Sequence, residues 1–399
     1  MRILICPSAY KGSFGAQAVA NAIASGIADL APHHQLRLLP FADGGDDTLA
    51  CLQAYRLASS PLIQTFLDLP DAFSRMHKTC YLRESDFSRA FIELACICGL
   101  AVSCDAAEEG YPGTKSGCRS TMALQAHTAG LGQAIAHAIA SGIKNIVVFI
   151  GGSASTDGGS GMLSALGLEF LDAQDRAIVP CGGHLMDIRA VSPDSVQYFF
   201  ELFKGVELLI ACDVNNPLYG PDGAAAVFGP QKGASLADVK YLDQALRHFC
   251  DILAPYFSQV PHLANLPGAG AAGGTAFGLG VVPGARMLSG FDLIADLVDI
   301  NSEIDAADAV IIGEGMLDQQ SMQGKACGRI IDIAFAKGKP VYALPALARQ
   351  AQSLLDAQYL KGLITTAGAD GRADLISIRA AANQLTSRFF LENRHDVTC

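Results

Sequence analysis

The sequence predicts an α/β protein of two domains, built on parallel strands with helices on both faces. Three observations predict this. The chain has 399 residues, more than the roughly 250–300 at which a single core usually stops growing. Half of them are hydrophobic and only 17% are charged, which suits a large core and argues against disorder. Short apolar runs alternate with longer stretches of helical period, the pattern of a parallel sheet with crossover helices.

The elements follow in order. "RILIC" (2–6) is a short buried strand, and Ser13 is placed to cap a helix over 14–30. "LRLLPFA" (36–42) is the next strand, ending or lying at an edge near Pro40. "RAFIELAC" (89–96), "NIVVFIG" (145–151), "VELLIAC" (206–212), "DAVIIG" (308–313) and "PVYAL" (340–344) are further strands. Helices are expected near 119–141, 235–257, 289–299, 323–337 and 372–390, and 105–121 has the composition of a loop.

Composition also excludes function classes. A formal charge of -11 gives no basic face for nucleic acid. The apolar part of the amino terminus is too short for a signal peptide. The uncharged stretch 266–285 is rich in glycine and carries two prolines, so it reads as buried backbone and not as a membrane span. None of the 12 cysteines forms a CxxC pair, which fits buried thiols in a reducing compartment, and the nine histidines show no metal-ligand spacing. A cytoplasmic chain without membrane partners is expected; a homo-oligomer is left open.

Four apolar runs end in the same chemistry. "LLPFADGGDD", "VVFIGGSASTDGG", "LLIACDVNNP" and "VIIGEGMLD" each deliver glycine with Asp, Asn or Glu. Ligands of open α/β sheets bind beyond the carboxyl ends of strands, so these ends are expected to line one cleft. A Walker loop is absent, since "MQGKACG" lacks its first glycine and its hydroxyl. "GAGAAG" from Gly268 to Gly273 matches the dinucleotide pattern only in letters, because Pro267 and not a strand precedes it. Its small residues suit close approach to another backbone or to a phosphate. Lys11, Lys232 and Lys325 each lie in a loop of small residues, and two readings stay open for them: a cation that meets an anionic ligand, or a solvated lysine beside a helix cap.

Taken in order, "PSAYKGS", "ADGGDDT", "FIELA", "IGGSASTDGGSGM", "ACDVNNPLYG", "FGPQKGAS", "PGAGAAGG" and "GEGMLDQQSMQGK" resemble the glycerate kinase family of bacteria, over nearly the whole chain. The resemblance implies phosphoryl transfer from ATP, with Mg²⁺, to D-glycerate, most often giving 2-phosphoglycerate. It also implies a Rossmann-like domain from residues 1–75 and 290–399, with 76–289 inserted as a second α/β domain. Asp213, Lys11 and Asp157 are then the catalytic candidates. Ser8, Ser13, Asp43, Asn215, Asn216, Lys232 and Ser321 are candidates for the substrate, and Asp43 with Asp318 for the metal. Gly44, Gly45, Gly151, Gly152, Ser153, Gly268, Gly270, Gly273, Gly274, Gly313, Glu314, Gly315 and Lys325 are candidates for the nucleotide.

The chain departs from the family pattern at Ser8, where an aspartate is usual, and at Met316, where arginine is usual. Asp46 and Asp47 replace Glu and Gly, and "AHTAGLGQ" (126–133) keeps little of a threonine-rich motif that extra sequence within 105–125 precedes. Methionine cannot replace a planar bidentate anion donor. A kinase for a related hydroxy acid, or a chain that binds without turnover, therefore stays open as an alternative.

Overall fold

The structure is a computed structural model that describes residues 1–10, 13–55, 61–103, 118–318, 321, 325–349, 353, 355, 359–368 and 372–391. In chain order the strands of its two main sheets are β1 (Arg2–Ile5), β2 (Gln35–Leu38), β3 (Leu62–Pro70), β4 (Met76–Glu84), β5 (Arg89–Glu93), β6 (Asn145–Phe149), β7 (Glu207–Ala211), β8 (Arg286–Leu288), β9 (Ala309–Ile312), β10 (Val341–Ala343) and β11 (Gly362–Leu363). The helices that bear on the site are α1 (Ala16–Leu30), α2 (Ala129–Ala140), α3 (Ser160–Ala165), α4 (Leu236–Leu253), α5 (Ala271–Gly280), α6 (Gly290–Val298), α7 (Ala326–Ala336) and α8 (Leu375–Leu385). The chain divides into two compact units, one of Met1–Asp43, Ala50–Leu57 and Phe291–Cys399, the other of Gly44–Leu49 and Ala58–Gly290.

The first unit carries a five-stranded sheet in the order β11-β10-β9-β1-β2, and every pairing is parallel. Its central strands β1, β9 and β10 are buried on both faces, as a sheet covered twice requires, whereas β2 at the edge carries Gln35 and Arg37. Ile3, Ile5 and Ile311 pack with Val19, Ile23 and Ile27 of α1 and with Ile378 and Leu385 of α8. From β1 the chain moves to β2 on one side, whereas β9 pairs on the other. The sheet therefore has a topological switch point beyond the carboxyl ends of β1 and β9.

The second unit carries a six-stranded sheet in the order β8-β7-β6-β5-β4-β3. β5 to β8 are parallel, but β3 and β4 form an antiparallel hairpin at one edge. This sheet is therefore mixed, not purely parallel. Strand 89–96 of the sequence reading stops at Glu93, and Ala95–Cys98 turn into a short helix. The helix expected over 119–141 is two, Cys118–Gln125 and α2. The break has a cause: the His127 amide donates to the Ala72 carbonyl at 3.0 Å and the Thr128 amide to Asp157 at 3.0 Å, so neither serves a helix. Among the described residues, no helix is long and apolar enough to cross a membrane.

Candidate active site

At the switch point of the first unit, one carbonyl gathers three elements. Gly313, just after β9, accepts from the Ser8 amide at 2.8 Å, the Ser8 hydroxyl at 3.3 Å and the Cys327 thiol at 3.5 Å. The loop after β1, the loop after β9 and the start of α7 are thereby tied together. Tyr10 adds a fourth, since its hydroxyl donates to the Leu344 carbonyl beyond β10. Ser321 closes the next turn, its amide donating to Asp318 Oδ1 at 3.1 Å and its hydroxyl to the Met316 carbonyl at 3.2 Å. Lys325 is exposed at the N-cap of α7. The first helical bond runs from the Arg329 amide to the Lys325 carbonyl, so the amides before Arg329 face an anion-binding helix start.

Glu314 stands inside this assembly with 8% of its surface exposed, and its Oε1 is buried and accepts no hydrogen bond. Burial lifts its pKa from 4.5 to about 7, and Asp318 adds to the rise, while Ser321, Lys325 and Cys327 pull the other way. An unpartnered buried acceptor costs about 1–3 kcal/mol. Such a group calls for an explanation, and a ligand that supplies the missing donor is one.

In the second unit the loop Gly44–Leu49 crosses the carboxyl ends of β5, β6 and β7. The Gly151 amide donates to the Gly44 carbonyl at 3.2 Å, and the Leu49 amide to Glu93 Oε2 at 2.8 Å. A side chain on Gly151 would overlap Gly45 Cα, and one on Gly152 would overlap the Asp46 carboxylate. The glycines thus let two loops touch. Asp213 follows β7, is exposed, and accepts from the Gly290 amide at 2.9 Å. Asn215 is exposed, and Asn216 donates to the Asp222 carbonyl at 2.8 Å while its own carbonyl receives the Gly270 amide at 2.9 Å. Glu93, at the end of β5, was not singled out from sequence. It is 1% exposed, and burial first, then Asp46 and Asp47, raise its pKa to about 7 against the Leu49 amide and Cys96.

The remaining glycine-rich loops pack on each other. Ala272, Gly273 and Gly274 open α5 with three consecutive left-handed residues, and the Gly158 amide donates to the Gly273 carbonyl at 3.0 Å. A Cβ on Gly274 would stand 2.8 Å from Gly158 Cα, and one on Gly278 2.7 Å from the Gly158 carbonyl. Asp157 is fully buried and accepts from the Thr128 amide and hydroxyl at 3.0 and 2.8 Å, and from the Gly159 and Gly161 amides at 3.2 and 3.1 Å. It joins the starts of α2 and α3. The Ser153 hydroxyl accepts from the Ser155 amide at 3.1 Å. Lys232 is 8% exposed and donates to the Ser155 carbonyl.

Of the residues expected at the site, Ser8, Gly313, Glu314, Gly315, Asp318, Ser321 and Lys325 come together in the first unit. Gly44, Gly45, Gly151, Gly152 and Asp213 gather at the strand ends of the second. Ser153, Asp157, Lys232, Gly273 and Gly274 share the interlocked loops beside them, and Gly268 and Gly270 abut the Cys212–Pro217 segment. Ser13 is exposed and does not cap α1: the helix starts two residues later than read, with Gly15 at its N-cap, and the Ser13 amide donates back to Tyr10. Asp43 is half-buried beyond β2. Lys11 lies outside the described residues. Among those described, no three His, Cys, Asp or Glu side chains gather to hold a metal by themselves.

Comparison with known proteins bears on this geometry. The pattern of the Glycerate kinase family matches residues 3–388. The glycerate kinase of Haemophilus influenzae is 35% identical over 350 residues, 88% of this chain and 87% of that protein. The glycerate 2-kinase of Escherichia coli K12 is 33% identical over 349 residues, 86% of this chain and 84% of that protein. A crystal structure from Salmonella typhimurium LT2, assigned as glycerate kinase 2, superposes with a TM-score of 0.76 at 28% identity and covers all of both chains. With a family match that runs through both units and relatives this similar along most of their length, the chain belongs to the glycerate kinase family.

Proposed function

We propose that the chain transfers the terminal phosphoryl group of ATP to D-glycerate and that the product is 2-phosphoglycerate. One observation carries this beyond family membership: an anion-binding helix start with Lys325 and Ser8 lies in the same assembly as a glutamate with an open acceptor. A 2-hydroxy acid presents a carboxylate and a hydroxyl on neighbouring carbons, which is the pair such an assembly recognises. Lys325 and the first amides of α7 would hold the carboxylate, with Lys11 as a second cation, while Ser8 ties its loop to Gly313.

The second unit supplies what a nucleotide needs. The Gly44–Gly45 and Gly151–Gly152 loops meet at strand ends without side chains of their own, and their backbone would contact phosphate. The interlocked loops held by Asp157 and Lys232 fix those strand ends from behind, and Asp213 with Asn215 offers polar groups beyond β7. The carboxylates fit Mg²⁺ in its usual mode, one or two protein oxygens with phosphates and water completing the shell. Asp43 and Asp318 would hold it, and when bound it would offset phosphate charge.

The test is ADP release by the purified chain with Mg-ATP and each glycerate enantiomer, followed by phosphorus NMR of the product. Release with D-glycerate and a product phosphorus coupled to a single carbon-bound proton are expected. Coupling to two protons would mean attack by the terminal hydroxyl, and no release with either enantiomer would reject the proposal.

A further inference from the structure

The structure assigns a specific chemical task to Glu314: we propose that its carboxylate takes the proton from the hydroxyl that becomes phosphorylated. This rests on the function proposed above and adds to it the residue that moves the proton.

The argument begins with what the other groups at the switch point are doing. The hydroxyl of Ser8 and the thiol of Cys327 both direct their hydrogens to the Gly313 carbonyl, and Tyr10 directs its own to Leu344. Burial holds both Cys327 and Tyr10 in their protonated forms. None of the three is a proton acceptor. Asp318 already receives the Ser321 amide. Ser321 and Cys327 approach the Glu314 carboxyl, yet its Oε1 is buried and accepts no hydrogen bond, which sets it apart from the other groups here.

Place follows from topology. Glu314 is the second residue past β9, at the edge of the crevice where an open parallel sheet binds its ligand. Its backbone is fixed, since the Glu314 carbonyl accepts from the Ala346 amide at 2.8 Å and the Gly315 carbonyl from the Leu347 amide at 3.1 Å. The charged and titratable groups that face it are Asp318 from its own loop, Lys325 and Cys327 from the start of α7, and Tyr10 from the loop after β1.

The step balances. The O–H bond of the acceptor hydroxyl breaks and its proton goes to Glu314 Oε1. The electron pair left on oxygen forms the bond to the terminal phosphorus of ATP. The bond from that phosphorus to the bridging oxygen breaks, and its pair leaves on ADP. Glu314 returns the proton to water after the product departs.

The experiment compares wild type, Glu314→Gln and Glu314→Asp in steady-state turnover from pH 5.5 to 9, with D-glycerate and ATP affinities measured alongside. Glutamine keeps the shape and cannot take the proton. A fall in kcat of about 10²–10⁴-fold is expected for Glu314→Gln, with substrate affinities within a few-fold. The rise of the wild-type rate through pH 7 should vanish in that variant and persist, at lower rate, in Glu314→Asp. Glu314→Gln turning over within a few-fold of wild type, or Glu314→Asp as inactive as Glu314→Gln with both binding substrates normally, would overturn the assignment. If Glu314→Gln fails to fold, a wild-type rate that is flat from pH 6 to 8 overturns it. A wild type that releases no ADP at all rejects the function proposed above, and is thus told apart from failure at Glu314.

Discussion

The carbonyl oxygen of Ser155 stands where a side chain on Gly273 would begin. The loop after β6 and the loop that opens α5 are therefore one interlocked piece, and their glycines are needed for contact with each other. Gly273 also has φ +68, a left-handed conformation that costs a non-glycine residue roughly 1–2 kcal/mol. Forced overlap with backbone adds about 1–3 kcal/mol. Gly273→Ala should lose about 3 kcal/mol in urea unfolding. Gly205→Ala is the control, since Gly205 has φ +71 but no atom within 4 Å of an added Cβ, and it should lose only the strain. Equal losses at the two sites would refute the interlock.

Lys232 pins the same junction through the Ser155 carbonyl. Burial holds its pKa down to about 7 from 10.5, and Asp157 opposes this. Between those values the unfolded chain binds a proton that the folded chain does not, so stability rises with pH across the window. Below pH 7 both states are charged and the burial penalty is full. Lys232→Met removes the titration. The stability of wild type relative to Lys232→Met should climb from pH 7 to 9 by up to about 1.4 kcal/mol per unit. Parallel urea midpoints over that range would show that the amine is hydrated.

Much of the scaffold was legible because buried parallel strands are written as unbroken apolar runs. β1, β6, β7, β9 and β10 all begin within a residue of where those runs do. The β3–β4 hairpin was not legible, since Gln64, Thr65 and Asp68 interrupt one strand and His77, Lys78 and Arg83 the other, at an edge with an exposed face. Nor was the break at His127, which depends on acceptors far away in sequence. Within the site the letters hid burial. Asp157 and Asp213 both follow strands in loops of small and polar residues, yet one is enclosed by four donated hydrogen bonds and the other is exposed. Glu93 and Glu314 gave no sign in sequence that their carboxyls leave water.

Glu93 offers the converse of the lysine case. Its pKa rises from 4.5 to about 7 on folding, through burial first and then the charges of Asp46 and Asp47. Between those values the folded chain keeps a proton that the unfolded chain has released. The native state therefore loses stability as pH climbs from 4.5 to 7, and carries the full cost of a buried charge above that. Glu93→Gln is neutral throughout and keeps a carbonyl oxygen for the Leu49 amide, which now donates to Oε2 at 2.8 Å. Relative to wild type, the variant should gain about 2 kcal/mol between pH 5 and pH 8, read from urea midpoints at the two values. An unchanged difference would mean that water reaches the carboxylate beneath the Gly44–Leu49 loop. A gain in stability at pH 8 with a loss of turnover would show that the negative charge held at the end of β5 is retained for the reaction and not for the fold.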